Sequence, residues 1–175
     1  VIVGPGGEVV VRGRQPAAVT AFVATCGRPV TRDELAHLLW GDDLSEHWSS
    51  ALRGVLSKVR SSFVSAGFPA TAVRSDDTVV RIDVPDLCTD LDRIEQLIDS
   101  GDPSERDLAA AITALTRPFL PHDDSEWGRQ TRDRIRRTSQ RAILNHVVLL
   151  RADDRVDAAI AELRSVIDRD PLDEA

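Results

Sequence analysis

The chain has 175 residues, 42% of them hydrophobic, which is enough for the core of one large domain or two small ones. Aromatic residues make up only 4% and tyrosine is absent, so small aliphatic side chains must do most of the packing, which favours helices over a β-sandwich. No apolar run approaches the roughly 18 residues that a membrane helix needs, and nothing resembles a signal peptide, so we expect no membrane partner.

The charge is unevenly distributed along the chain. Residues 1–85 contain nine basic and nine acidic residues, whereas residues 86–175 carry the whole formal net charge of −7. The acidity that would discourage binding to nucleic acid therefore lies wholly in the second half, and the neutral first half permits such binding without proving it. The two cysteines, Cys26 and Cys88, have neither metal-ligand nor disulfide spacing. We expect both to be small buried residues in a cytoplasmic protein.

The first half begins with two short β-branched runs, 1–3 and 8–11, whose glycine-rich connection predicts a hairpin. The run 16–26 is apolar nearly all round. It has proline at its start and Gly27 just after its end, which predicts a buried helix.

The next helix has the clearest local signal in the sequence. Thr31 and Glu34 have the spacing of a capping box. After a turn, a longer amphipathic helix is predicted over 45–63, with Asp43 or Ser45 as its N-cap. Its apolar stripe consists of Trp48, Leu52, Val55, Leu56, Val59 and Phe63. Two short helices joined by a tight turn have the order of a helix-turn-helix.

A second stripe on the 45–63 helix, well away from the apolar one, consists of Ser50, Arg53, Ser57 and Arg60. Arginines interleaved with small hydroxyl side chains suit a helix that contacts phosphates and base edges. A neighbouring glycine, Gly54, is a poor helix former but permits close backbone approach. On the stripe alone, an ordinary solvated helix face remains the alternative interpretation.

Two β runs, 71–74 and 78–82, follow this helix and are separated by Ser75-Asp76-Asp77. They predict a hairpin where a wing would lie. The order hairpin, helix, helix, helix, hairpin therefore predicts a small winged helix-turn-helix domain over residues 1–85.

The second half predicts four helices, over 90–100, 104–116, 125–150 and 156–169, paired by short connections. Such pairs are the units that α-solenoids stack, so residues 86–175 are predicted to form an all-α helical domain. The third of these helices carries six arginines, and a solvated face is favoured there over a nucleic-acid or phosphopeptide surface. The predicted fold class is mainly α.

The stretch TRDELAHLLWGDDLSEHWSSALRGVLSKVRSSF, residues 31–63, resembles the winged-helix region of the actinobacterial antibiotic-regulator-type transcriptional activators. Their bacterial transcriptional activator domain is similar to VPDLCTDLDRIEQLI, RPFLPHDDSEWGRQTRDRI and AAIAELRSVIDRDPLDE in the second half. Together these pieces cover nearly the whole chain. The motif RDEL-x-x-LLW is followed by ALR-x-x-L-S-x-x-R, and this order is more specific for the family than either motif alone. Around Ala159 and Pro171 the chain also resembles a divergent tetratricopeptide repeat.

The resemblance implies a sequence-specific DNA-binding transcriptional regulator, and an activator in particular. It implies that the 45–63 helix enters the major groove, that the wing touches the DNA backbone, and that the helical domain serves dimerisation or regulation. The implied partners are double-stranded DNA, RNA polymerase and a second copy of the chain. The DNA-binding residues are then Ser50, Arg53, Ser57, Lys58, Arg60 and Arg74. The wing tip departs from the family's glycine-rich pattern, and the carboxylates of Asp76 and Asp77 are expected to repel phosphate.

The sequence does not predict an enzyme, a metal site or a cofactor. The four histidines are scattered, without ligand spacing. The cluster His122-Asp123-Asp124 lies in a proline-bounded loop with no nucleophile beside it, and is interpreted as a turn. The competing hypothesis is a protein–protein interaction module whose winged helix has lost DNA binding. The acidic wing tip and the net charge favour this hypothesis, and the arginine stripe opposes it.

Both ends of the sequence indicate that the chain is part of a longer protein. The sequence begins with Val1 rather than methionine, and 171–175 resembles the start of a new element. We therefore expect a piece of a longer protein, truncated within its helical domain.

Overall fold

The computed structural model of the chain describes residues 1–169. These residues divide into two compact units, the first formed by Val1–Thr89 with His122–Gly128, and the second by Asp90–Pro121 with the chain from Arg129 onward. The predicted domains, 1–85 and 86–175, differ from these units mainly in the segment 122–128. The expected new element at 171–175 and the repeat-like Pro171 lie outside the described residues.

The first unit opens with a two-stranded antiparallel hairpin followed by a helix. Strand β1, Ile2–Gly4, pairs with β2, Gly7–Val9. Helix α1, Arg14–Cys26, ends at Gly27, which takes the left-handed conformation (φ 62°) that glycine adopts without strain. The predicted hairpin and buried helix are both confirmed.

Helix α2, Arg32–Trp40, starts from the predicted capping box. The backbone N–H of Glu34 donates to the Thr31 hydroxyl at 3.1 Å, and the Thr31 N–H donates to the Glu34 carboxylate at 2.7 Å. Two of the N–H groups at the start of the helix are thus satisfied reciprocally, as the sequence predicts.

Helix α3, Trp48–Ser65, is the longest element of the first unit. Its predicted start was wrong, because Ser45 accepts the N–H of Trp48 at 3.0 Å in a turn that precedes the helix. The N-cap is His47, without a side-chain capping bond, rather than Asp43 or Ser45. The apolar stripe is confirmed. Five of its members are at most 6% exposed in the core of the unit: Leu52, Val55, Leu56, Val59 and Phe63.

The wing is a hairpin of strands β4, Val73–Ser75, and β5, Val79–Ile82, as predicted. The first predicted run is shorter than expected because Ala70–Ala72 forms a 3-10 turn. Strand β5 also pairs with β3, Val30–Thr31, so the sheet has the order β3-β5-β4. This third strand was not predicted, since two residues give no alternation to detect.

The second unit is all-α, as predicted. It contains α4 (Asp90–Asp99), α5 (Glu105–Leu115), most of α6 (Glu126–Ala152) and α7 (Val156–Arg169). The first three residues of α6 belong to the first unit. Its core consists of Ile98, Ile112, Ala142, Ile143, Val147, Leu150 and Ala159.

Ion pairs join α4 to α6 within the second unit. The guanidinium of Arg134 donates to Glu95 and Asp92, with 2.9 Å between its Nε and the Glu95 Oε1 and 2.9 Å between a terminal nitrogen and the Asp92 Oδ1. Arg141, two turns after Arg134 on α6, pairs with Asp99 at the end of α4. Two of the seven arginines of α6 therefore bind the acidic side of α4.

Candidate nucleic-acid interface

The exposed face of α3 lies opposite its buried stripe. Ser50, Arg53, Gly54, Ser57 and Lys58 are all exposed, and no acidic residue occurs in the whole helix. At 100° per residue, the two serines and the glycine lie farthest from the core, with one cation on either side of them. The face is therefore positively charged, and the side chains along its middle are the smallest.

Gly54 has no packing role inside the protein. A Cβ built at this position meets no atom within 4 Å. Glycine inside a helix is about 1 kcal/mol less favourable than alanine, so this position lowers the stability of α3 without a steric need in the fold. Its effect is to leave the helix backbone bare on the outermost side.

Arg60 differs from the other predicted DNA-binding residues. It is half-buried, and its Nε donates to the backbone carbonyl of Val73 at 3.2 Å. A terminal N–H of the same guanidinium donates to the hydroxyl of Ser75. Both bonds go to the first strand of the wing.

The wing carries two exposed arginines opposite each other. Arg74 on β4 is in register with Arg81 on β5, and both side chains approach the carboxylate of Asp83, at 3.1 and 3.6 Å. Exposed pairs of this kind contribute little energy, so neither arginine is locked. Arg81 was missed by the sequence analysis, because only the strand register places it beside Arg74.

At the wing tip, Asp76 accepts the backbone N–H groups of Thr78 and Val79, at 2.7 and 2.8 Å. The bond from Val79, followed by that from Thr78, lowers the pKa of Asp76 below its usual value. Both residues are exposed, but one of the two carboxylates expected to repel DNA, that of Asp76, therefore closes the turn.

Arg32, at the start of α2, is a second arginine that sequence reasoning missed. One terminal nitrogen lies 3.4 Å from the carbonyl of Ser49 in α3, and the other lies 3.4 Å from the carbonyl of Asp76 in the wing tip. Its guanidinium therefore bridges the start of α3 and the wing tip.

The predicted turn around His122 lies within the first unit. Arg14 in α1 donates to the carbonyl of His122, and the Asp123 carboxylate accepts the N–H of Ser125 at 3.0 Å. The ring of Trp127 meets that of Phe22 edge-on, with 5.1 Å between centroids. The backbone and side chains here form a turn that leads into α6.

The described residues, 1–169, also bear on metal binding and on membrane insertion. Within that range, no group of three or more His, Cys, Asp or Glu side chains could hold a metal ion. None of the helices in the same range is both long and apolar enough to cross a bilayer.

The fold is similar to that of a solved protein. The structure of Mycobacterium tuberculosis EmbR in complex with a low-affinity phosphopeptide matches 99% of this chain, with a TM-score of 0.79 and 22% sequence identity. The chain has the fold of half of EmbR. The match covers 50% of the EmbR chain, so the present chain spans about half its length.

No protein-family model and no curated protein sequence matches the chain. The likeness to EmbR thus concerns the fold, and it confirms the predicted class, a winged helix followed by an all-α unit. The finer prediction that the second unit is tetratricopeptide-like stays a prediction.

Proposed function

We propose that the chain is a sequence-specific DNA-binding transcriptional regulator, acting as an activator, with α3 as the recognition helix and the β4–β5 hairpin as the wing. The observation that carries this proposal is the exposed face of α3, where Arg53 and Lys58 flank small residues and no acidic side chain interrupts the helix. In a helix-turn-helix the second helix of the motif enters the major groove, and α3 is the second helix of the motif in this chain.

The residue types on this face have distinct roles in such a complex. Arg53 can donate two hydrogen bonds to the O6 and N7 of guanine, the commonest base-specific contact in the major groove. Lys58 suits a phosphate, and Ser50 and Ser57 can bond either a base edge or a phosphate. On the wing, Arg74 suits the DNA backbone.

The second unit is the proposed site of dimerisation or regulation. Residues 86–175 carry the net charge of −7, which is unfavourable for contact with DNA and compatible with protein partners. A second copy of the chain and RNA polymerase are the proposed partners, in a cytoplasmic setting. Residues 1–85 then form the DNA-binding domain and 86–175 the transcriptional activator domain.

The test is selection from a random-sequence library of double-stranded DNA by the purified chain. We expect the unaltered chain to enrich a shared motif, and the variant Arg53→Ala with Lys58→Ala to lose it. The matched control, Arg12→Ala with Arg93→Ala, removes two exposed arginines outside α3 and the wing. It should enrich the same motif.

Single substitutions refine the result. Arg53→Ala should cost about 1–3 kcal/mol of binding free energy and relax the motif at one base pair. Lys58→Ala should weaken binding uniformly across sequences and reduce the salt slope by about one. Two results would contradict the proposal: DNA retained by the unaltered chain without a shared motif, or equal DNA selection by the α3 variant and the control. The remaining hypothesis would then be a protein–protein interaction module.

A further inference from the structure

The wing is attached to α3 near both ends of the helix. Towards the C-terminal end, Arg60 donates to the Val73 carbonyl and the Ser75 hydroxyl of β4. Near the N-terminal end, Arg32 bridges Ser49 of α3 and the carbonyl of Asp76 at the wing tip. The hairpin is thus linked to the recognition helix at two places, directly through Arg60 and through Arg32 as a bridge.

The position of Arg60 on α3 explains why it meets the wing. Arg53 and Arg60 are seven residues apart, so they project from nearly the same side of the helix. At Arg60 that side is covered by β4, and the guanidinium is half-buried against it. Two turns earlier, Arg53 is exposed on the open part of the same side.

The two bonds require the shape of arginine. The Nε reaches a backbone carbonyl at 3.2 Å while a terminal nitrogen reaches a hydroxyl, so one planar group binds two acceptors that are two residues apart on β4. The ammonium group of lysine has the same charge but no rigid fork, and cannot reproduce both bonds with one fixed geometry.

The base of the wing is held by the pairing of β5 with β3 and by the burial of Val73 and Val80. The edge strand β4 and the tip have less support of this kind, and the links from Arg60 and Arg32 act there. Strands of three and four residues form a hairpin that is marginally stable by itself. An untethered wing would lose conformational freedom when it docks on DNA, and that loss would lower the affinity.

We propose that Arg60 is a positioning residue, which fixes the wing against the recognition helix and does not read bases. The inference rests on the proposed function for its effect on DNA binding. Base reading then belongs to Arg53 and its exposed neighbours, and backbone contact belongs to Arg74 and Arg81 on the wing.

The first test needs no DNA. Amide hydrogen exchange is compared between the unaltered chain and Arg60→Lys. We expect faster exchange of the amides of 79–82 and unchanged exchange in α1 and in the buried half of α3. Ser75→Ala, which removes one acceptor, should show a smaller change in the same amides. Unchanged exchange of the wing in both variants would overturn the proposal, whether or not the chain binds DNA.

The second test uses the DNA motif that the unaltered chain selects. Arg60→Lys should weaken binding about three- to tenfold although the charge is retained, with the selected motif unchanged. Ser75→Ala should add nothing to Arg60→Lys in the double variant, because both remove the same link. Wild-type affinity of Arg60→Lys or additive losses would show that the link to β4 does not determine binding, and a changed base preference would show that Arg60 contacts a base; each result would overturn the proposal. Absence of any motif for the unaltered chain would instead refute the proposed function.

Discussion

The carboxylate of Asp76 accepts the backbone N–H of Val79 at 2.8 Å and so closes the turn of the wing. An acidic residue at a DNA-facing tip is expected to weaken binding, yet here it satisfies backbone donors that would otherwise depend on water. Asp77, the next residue, is exposed at the same tip. The two carboxylates therefore have opposite consequences for the wing.

Substitutions at these two positions should move DNA affinity in opposite directions. Asp76→Ala removes the acceptor and loosens the turn, so we expect a loss of affinity of about threefold or more despite the removal of a negative charge. Asp77→Asn removes only the charge and should raise affinity by a similar factor at low salt. Titration of the selected DNA by each variant measures both effects. Tighter binding by Asp76→Ala would show that charge outweighs turn geometry.

Glu34 predicts a pH dependence of stability in the first unit. Its hydrogen bonds from Arg28, followed by that from the Thr31 N–H, lower its pKa from about 4.5 to about 2. A lowered folded-state pKa means that the carboxylate stabilises the fold above about pH 4.5. This contribution is lost as the pH falls from there towards about 2.

The variant Glu34→Gln tests this window. We expect it to cost about 1 kcal/mol of unfolding free energy at pH 7 and markedly less at pH 3, because the ion pair with Arg28 is lost and a neutral amide oxygen accepts the Thr31 N–H more weakly than a carboxylate does. Urea unfolding at the two pH values measures the difference. Glu46→Gln is the control, since Glu46 is an exposed glutamate in the turn before α3. Its effect on the unfolding free energy should be the same at both pH values. A constant cost for Glu34→Gln would contradict the assignment.

Arg134 predicts a stability effect in the second unit. Its guanidinium pairs with Glu95 and Asp92, whose side chains are 22% and 34% exposed. It also lowers the pKa of Glu95. Arg134→Ala leaves both carboxylates without this partner, so we expect a loss of about 1–2 kcal/mol of unfolding free energy, less than for a fully buried pair.

The matched control lies on the same helix. Arg137→Ala removes an exposed arginine and should change stability by less than about 0.5 kcal/mol. Urea unfolding at low and high salt separates the two, since salt should reduce the cost of Arg134→Ala. Equal effects of the two substitutions would show that the α4–α6 ion pairs contribute nothing measurable.

The sequence predicts those features of the fold that depend on residues close together in the chain, and it fails for those that depend on distant residues. The capping box of Thr31 and Glu34 involves residues within one turn, and the apolar stripe of α3 repeats over about four turns, so both are visible locally. The start of α3 was mispredicted because Asp43 and Ser45 are good caps by type. The chain instead forms a turn over 45–47 before the helix begins.

The parts of the candidate site that the sequence could not predict depend on pairing at long range. Strand β3 exists because Val30 pairs with Val80, fifty residues later. Arg81 joins the wing surface only through its register with Arg74. Arg60 has the spacing of a base-reading residue, and only the packing of β4 shows that its guanidinium meets the wing.

The substitution Gly54→Ala should raise the stability of the protein and weaken its binding to DNA. A Cβ at this position meets no atom within 4 Å, and alanine is the better helix former, so Gly54→Ala should raise the unfolding free energy by about 1 kcal/mol. The same methyl group fills the barest part of the proposed DNA-facing surface. We therefore expect weaker DNA binding, by about threefold or more, in a more stable protein.

Thr113→Ala is the matched control for Gly54→Ala. Thr113 is exposed on α5, where alanine also improves helix propensity, so this variant should gain a little stability and bind DNA as the unaltered chain does. Urea unfolding and DNA titration on both variants give the two readouts. A gain in stability with unchanged affinity in Gly54→Ala would show that DNA does not approach α3 closely at this position. The helix would then contact DNA through its long cationic side chains, with no need for a bare backbone.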